Sequence, residues 1–194
     1  MYLSLVFFIL ACNSENKSDG DYDSASVALK QPDGDFDVDS TKSTVVDPHQ
    51  FIIKASASGL RKIEASKIAQ KKGRDEMIKI FANQMMADNS KFIEELDSLA
   101  KANKIVVSSK LSSSDLVKIN KLRDMDGGTF DTKYISMMVE EHKKDIAMFK
   151  TATTFQDMAL SAYAENTMKH IVLNSSMAVD VQFNLTNKYA GFLK

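Results

Sequence analysis

Apolar residues recur every three or four positions over most of the chain after residue 47, which is the spacing of one face of an α-helix. Four long segments carry this pattern, at about 48–72, 74–102, 129–151 and from 155 to near the end, and a shorter segment covers about 113–122. Gly73 and the Gly127-Gly128 pair interrupt it, and 104–112 is predicted to be a crossing loop. The pattern therefore predicts an all-α fold, a four-helix bundle with a short extra helix in the crossover.

The first helix has a clear start signal. Asp47 can cap it, Pro48 suits the first helical position, and Gln50 completes a capping box. We therefore expect the bundle domain to run from residue 47 to residue 194.

Composition agrees with a helical bundle of one domain. The 194 residues include only 2 Pro and 7 Gly, too few for the turns of an all-β protein. The hydrophobic fraction of 44% can build a core, and the 11 Met are typical of gap-filling residues between helices.

A short apolar run, residues 3–11, precedes the single cysteine, Cys12. This run is shorter than the roughly 20 residues of a membrane-spanning helix, and its length suits the core of a signal peptide. The end of the run, Ile9-Leu10-Ala11-Cys12, resembles the lipobox of bacterial lipoproteins, in which the cysteine sulfur carries lipid. We therefore expect residues 1–11 to be a lipoprotein signal peptide and Cys12 to be the lipidation site.

The lipobox resemblance implies an exported protein of the bacterial cell envelope that binds the membrane through lipid on Cys12, and we expect it at the outer membrane. One feature departs from the usual signal: no Lys or Arg precedes the apolar run. The alternatives are an uncleaved short anchor or an ordinary secretory signal.

Residues 12–46 are predicted to be a disordered acidic tether, since they are rich in Asp, Ser, Lys and Gly and lack helical periodicity. Residues 12–47 hold nine acids and three bases, whereas 48–194 hold seventeen acids and twenty-two bases. The alternating carboxylates from Asp33 do not form an EF-hand, because Val38 and Thr44 stand where Gly and Glu are needed. Nucleic acid is an unsuitable partner, because no dense Lys/Arg run with interleaved aromatics occurs.

Four polar side chains are placed on or near the apolar faces of the predicted helices. Glu64, Asp88 and His142 each lie three or four residues from apolar neighbours, and His170 lies on the last helix. Burying such groups costs several kcal/mol, in order of magnitude, unless they are paired or bind a metal. If the helices bring them together, Glu64, Asp88, His142 and His170 predict a site for a divalent transition metal such as iron, zinc, manganese or copper.

A structural interpretation of the same residues stays open. A lone helical His is commonly a hydrogen-bonded core residue, and Glu64 and His142 could simply bond each other. The Glu-x-x-His pairs of di-iron bundles are missing, because Glu141 directly precedes His142 and Glu165 is five residues before His170. Asp131, in the first turn of its helix, is placed to favour the helix N-terminus through its charge.

Several segments together resemble a bacterial exported family catalogued as domain of unknown function 4142. The most specific is Phe130-Asp131-x-x-Tyr134 with His142 eight residues after Tyr134. It is supported by 51–56 leading to Glu64, by 81–88, and by His170 on the last helix. The resemblance covers about 51–177 and implies a ferritin-like fold and an outer-membrane or periplasmic location. The family has no settled biochemical activity.

The chain departs from the family pattern at two places. Asn89 stands where the family commonly has a histidine, and Ala164-Glu165 stands where it commonly has Leu-Pro. Losing the histidine weakens any inherited metal site, because an amide oxygen is a poorer ligand for such metals.

Two functional hypotheses follow. The first is a non-catalytic envelope interaction or stress-associated module with an unidentified protein partner, because the sequence holds no complete catalytic constellation. The alternative is a mononuclear metal-binding bundle that uses the inward carboxylates and histidines. An enzyme is the less favoured class.

Overall fold

A computed structural model describes residues 47–190, which form five α-helices. They are α1 (Pro48–Lys72), α2 (Glu76–Ala102), α3 (Ser113–Arg123), α4 (Gly127–Ala152) and α5 (Met158–Ala190). The predicted signal peptide, Cys12 and the predicted tether lie outside the described residues. Within 47–190, no helix combines the length and apolar character that crossing a membrane requires.

The all-α bundle predicted from the sequence is confirmed. Helices α1 and α2 pack as one hairpin and α4 and α5 as the other, α1 also packs on α4, and α2 on α5. The short helix α3 lies in the crossover and contacts α1 and α4. The ferritin-like classification that the resemblance implied stays a prediction.

The start of α1 is as expected, since the Asp47 side chain accepts a hydrogen bond of 2.7 Å from the Gln50 amide. Gly73 ends α1, but its φ of −53° is not left-handed. A Cβ at this position would lie 2.6 Å from the Ala69 carbonyl oxygen and 2.8 Å from Ile78 Cγ2. Glycine therefore allows a close approach here and does not supply an unusual backbone angle.

Two helix starts differ from the prediction. The Gly127-Gly128 pair was predicted to separate two helices, with the second helix starting at 129, but α4 begins at Gly127 itself. Gly127 adopts a φ of +60°, and a Cβ on Gly128 would lie 3.2 Å from the Tyr189 ring. Helix α5 begins three residues later than predicted, because the Asp157 side chain accepts bonds from the amides of residues 159 and 160. The left-handed backbone at Gly127 thus moved the first boundary, and the Asp157 cap moved the second.

The core consists of two apolar clusters at different levels of the bundle. One surrounds Phe81, Tyr134 and Met138, and the other surrounds Phe51 and Phe149, whose rings meet edge-on at 5.1 Å. All four long helices contribute to both clusters. Between the two levels each long helix passes through a stretch that contains buried polar residues.

Candidate functional site

We call this intervening level the polar layer. Its side chains come from all four long helices, and each is at most 5% exposed. They are Ser58 and Lys62 of α1, Asn89 of α2, His142 and Asp145 of α4, and Asn174 of α5.

An ion pair between α1 and α4 forms the centre of the polar layer. The Lys62 ammonium, 3% exposed, donates a hydrogen bond to Asp145 Oδ2, and Ser58 Oγ donates to Asp145 Oδ1 at 2.8 Å. Both carboxylate oxygens therefore have a partner. A buried charge without such partners would cost several kcal/mol, in order of magnitude, so this pair fixes how α1 and α4 meet.

Arg61, which directly precedes Lys62 on α1, bonds three helices together nearer the surface. Its Nε donates to Glu141 of α4 at 2.8 Å, and its Nη1 donates to Asp115 of α3 at 2.9 Å. Burial alone would lower the pKa of the guanidinium, but the attraction of Glu141 and Asp115 outweighs burial and raises the pKa. Arg61 thereby holds the crossover helix against the bundle.

His142 is a buried core histidine in this structure. Its Nδ1 lies 2.7 Å from the Met138 carbonyl oxygen, one turn earlier in α4, and the residue is 1% exposed. Burial, reinforced by the nearby Lys62 ammonium, lowers the pKa of the imidazole below its ordinary value. The ring is therefore neutral at pH 7, and its Nδ1–H donates to the carbonyl.

The polar layer leaves little space for a ligand. A cavity of about 10 Å³ lies beside Lys62, Asn89 and Asp145, which is near the smallest space that admits one water molecule. In residues 47–190, every buried side-chain nitrogen or oxygen has a hydrogen-bond partner. The charges of the layer thus satisfy each other and do not face an open cleft.

The structure does not bring the four predicted metal ligands together. Among the described residues, no three His, Cys, Asp or Glu side chains form a group that could hold a metal ion. Glu64 is partly exposed and pairs with Lys67 at 2.6 Å on its own helix. His142 is bonded within α4, as described above.

The remaining two predicted ligands lie nearer the surface. Asp88 accepts hydrogen bonds from Gln84 at 2.9 Å and from Asn174 of α5 at 2.8 Å. His170 is exposed, and its ring lies 5.7 Å from Phe92 in a shallow groove of about 240 Å³ between α2 and α5. Spacing along single helices placed these residues near apolar stripes but could not show which stripe edges face solvent.

The Phe130-Asp131-x-x-Tyr134 motif anchors the far end of the bundle. Asp131 is fully buried and accepts bonds from the amides of Arg74 at 2.9 Å and Asp75 at 2.8 Å, in the α1–α2 turn. It also accepts a bond of 3.0 Å from the Tyr189 hydroxyl near the end of α5. Asp131 therefore joins three segments, and the expectation that its charge favours the N-terminus of its own helix stays a prediction.

Neighbouring bonds reinforce this anchor. Lys188 donates to Asp75 at 2.6 Å, and this bond lowers the pKa of Asp75. Burial, together with the contact to the Asp131 carboxylate, raises the pKa of Tyr189 to about 12. Tyr134 stacks on Phe130, with ring centres 6.2 Å apart, and its hydroxyl shares a bond of 2.9 Å with Ser66.

The sequence analysis missed the residues at the centre of the polar layer. Asp145 lies three residues after His142 and four before Phe149, so helical spacing could have placed it on the core face of α4. Lys62 gave a weaker signal, because its stripe on α1 consists largely of Ala, Ser and Gly and resembles a polar surface.

These features define an all-helical bundle with a buried polar layer whose groups bond one another and with a buried aspartate, Asp131, that joins three segments. The family model described as "Domain of unknown function (DUF4142)" matches residues 36–181. The chain therefore belongs to the DUF4142 family, as its motifs indicated. The match begins within the stretch predicted to be a tether.

Solved structures share the fold. A DUF305 protein from Streptomyces coelicolor, inferred to be secreted, is 15% identical with a TM-score of 0.61, and the similarity covers 74% of this chain and 96% of that one. A DUF305 fragment from Deinococcus radiodurans is 8% identical with a TM-score of 0.63, covering 71% and 97%. At these identities the likeness concerns the fold alone. No protein of curated function matches this chain.

Replacing Asp131 with Asn is expected to lower the free energy of unfolding by about 3 kcal/mol. The amide offers one acceptor oxygen and turns an N–H donor toward the backbone amides of Arg74 and Asp75, which leaves a buried donor unpaired. Urea denaturation followed by circular dichroism measures the change. Asp157→Asn is the control and should cost less than about 0.5 kcal/mol, because Asn caps a helix as well as Asp. Equal losses would contradict the anchor.

Replacing Lys62 with Met is expected to cost about 3–5 kcal/mol, because Asp145 would stay buried without its cation. The double variant Lys62→Met/Asp145→Leu should recover most of this loss, since no unpaired charge remains. Lys67→Met removes an exposed pair on the same helix and should change stability by less than about 1 kcal/mol. Additive losses in the double variant would show that the buried pair is not coupled.

The neutral His142 predicts a dependence of stability on pH. As pH falls below the ordinary pKa of 6.5, the imidazole takes up a proton in the unfolded chain but stays neutral in the folded chain, because folding lowers its pKa. The free energy of unfolding therefore falls, by at most about 1.4 kcal/mol per pH unit. Denaturation at pH 7.5 and 5.5 should show a smaller fall in His142→Gln than in the unmodified protein. His49→Gln, at an exposed position, should leave the fall unchanged; an identical fall in His142→Gln would contradict the assignment.

Proposed function

We propose that the protein is an exported lipoprotein of the bacterial cell envelope, anchored at the outer membrane by lipid on Cys12. In this proposal its helical domain is a non-catalytic module that acts through interactions or in envelope stress. The proposal combines the N-terminal sequence with the character of the bundle.

The polar layer is the observation that carries the non-catalytic role. An enzyme needs reactive groups that face a substrate, whereas Lys62, Asp145 and His142 are bonded inside the bundle. The cavity beside Lys62 has room for about one water molecule. The groove beside His170, of about 240 Å³, is below the roughly 300–1,000 Å³ usual for small-molecule pockets. The same bonds weaken support for the metal-binding alternative, because the four candidate ligands are separated.

Two observations support the location. The apolar run ends in Ala11-Cys12, followed by polar residues that suit a mature lipoprotein N-terminus. A structural neighbour is inferred to be secreted, which agrees with export of this fold.

The anchor is tested by expressing the full chain in bacteria supplied with an alkyne fatty acid. The unmodified protein should carry the fatty-acid label and sediment with membranes. Cys12→Ala should lose the label, because Cys12 is the only cysteine in the sequence and lipidation requires its sulfur. Ser14→Ala lies outside the lipobox and is the matched control. An unlabelled natural chain would contradict lipidation.

The interaction role is tested in the same cells. Cross-linking of the intact envelope followed by purification should recover a specific complex, and a deletion strain should show altered envelope integrity. Absence of both effects would contradict this role even if Cys12 is acylated.

A further inference from the structure

Asn89 lies in the polar layer, but among residues 47–190 its side chain bonds only within its own helix. Its Nδ2 donates a hydrogen bond of 2.8 Å to the Met85 carbonyl oxygen, one turn earlier in α2. Because a carbonyl oxygen can only accept, this bond fixes which end of the amide is the nitrogen. Asn89 Oδ1 is thereby left for another partner, although the residue is only 2% exposed.

This oxygen borders a space that water can enter. In residues 47–190, every fully enclosed side-chain nitrogen or oxygen has a hydrogen-bond partner. Asn89 Oδ1 has no donor among these residues, so it cannot be fully enclosed by protein. A Cβ added to Gly59 of α1 would lie 3.8 Å from it, which places the oxygen on the side of α2 that faces α1.

The Lys62 ammonium also has donors left. An ammonium carries three N–H groups, and among residues 47–190 Asp145 is the one acceptor bonded to it. Lys62 is only 3% exposed, so its other N–H groups have little access to bulk solvent. A buried donor without an acceptor lowers stability, and it does so more strongly when the group is charged.

The cavity of about 10 Å³ lies between these two side chains. Lys62, Asn89 and Asp145 line it together with Gly59. Buried water molecules typically form about three hydrogen bonds with polar groups of this kind, whereas cavities that stay dry have apolar walls. The cavity therefore has both the size and the polar partners that one water molecule requires.

The polar groups around the cavity select a neutral ligand that both donates and accepts. The Lys62 ammonium needs an acceptor, whereas Asn89 Oδ1 needs a donor. Each oxygen of the Asp145 carboxylate has one bond and can accept another. Lys62 would repel a cation and Asp145 would repel an anion, and the volume excludes larger molecules. Water meets these requirements, since its oxygen accepts and its hydrogens donate.

We propose that one water molecule is bound in this cavity and bridges the Lys62 ammonium to Asn89 Oδ1. Its oxygen accepts an N–H of Lys62, one hydrogen is donated to Asn89, and the other faces the Asp145 carboxylate. This water joins α2 to the ion pair of α1 and α4, which α2 does not bond directly within residues 47–190. The proposal is independent of the lipid anchor and of the interaction role, because it concerns the interior of the bundle.

The first test is a high-resolution crystal structure of the full chain, unmodified and with Asn89→Leu. The unmodified protein should show a density peak in the cavity at about 2.7–3.2 Å from both Lys62 Nζ and Asn89 Oδ1. Leu is close to Asn in size but offers no acceptor, so this variant should lose the peak. Asn83→Leu, at an exposed position of α2, is the matched control and should keep it.

The second test measures the bridge in solution through the urea midpoint of unfolding. Asn89→Leu and Lys62→Met should each lower the midpoint. The double variant should lower it by less than the sum of the two shifts, because a bridging water couples the two side chains. Asn89→Leu combined with Lys67→Met, at an exposed position of α1, should give shifts that add.

Three outcomes would overturn the proposal. The first is an unmodified protein without a density peak in the cavity, and the second is a peak that stays in place in Asn89→Leu. The third is additive midpoint shifts for Asn89→Leu and Lys62→Met, which would show that no bridge couples them. If a variant fails to fold, the crystal structure of the unmodified protein decides by itself whether the water is bound.

Discussion

A charge inside a helical bundle must have partners, and the arrangement of this domain follows from that constraint. Lys62 and Asp145 lie at the same level of α1 and α4, and Ser58 occupies the second carboxylate oxygen. One residue away, Arg61 extends the bonding to Glu141 and α3. The two apolar clusters then lie on either side of this level. Apolar burial stabilises the bundle, but the ionic contacts select how its hairpins fit together.

Much of the fold was accessible from sequence, because it depends on local patterns. The capping residues at Asp47, the Gly73 interruption and the 3.6-residue apolar period correctly predicted the helices and their order. Boundaries were less accessible where competing local signals were present. The two glycines at 127–128 resemble a break, yet the backbone angle at Gly127 and the close approach of Tyr189 to Gly128 let a helix start there.

The site was much less accessible, because it depends on contacts between distant segments. Asp131 contacts amides that lie 56 and 57 residues earlier in the chain, and no helical period encodes such a partner. Glu64 and Asp88 satisfied the same spacing rule as His142, but they lie at stripe edges that face water. Periodicity identifies the approximate face of a helix, whereas burial depends on where the neighbouring helix ends, which the chain pattern does not contain.

The polar layer also has a consequence for errors in folding. The two hairpins each form from neighbouring segments, so they can meet before their mutual alignment is established. A docking in which α1 is shifted by one helical turn toward Phe149 of α4 would place the Lys62 ammonium near an apolar ring and leave Asp145 without its cation. Such an arrangement is unstable by several kcal/mol, in order of magnitude. Uniform apolar faces would tolerate that shift. The central ion pair therefore disfavours this misaligned packing relative to the native one.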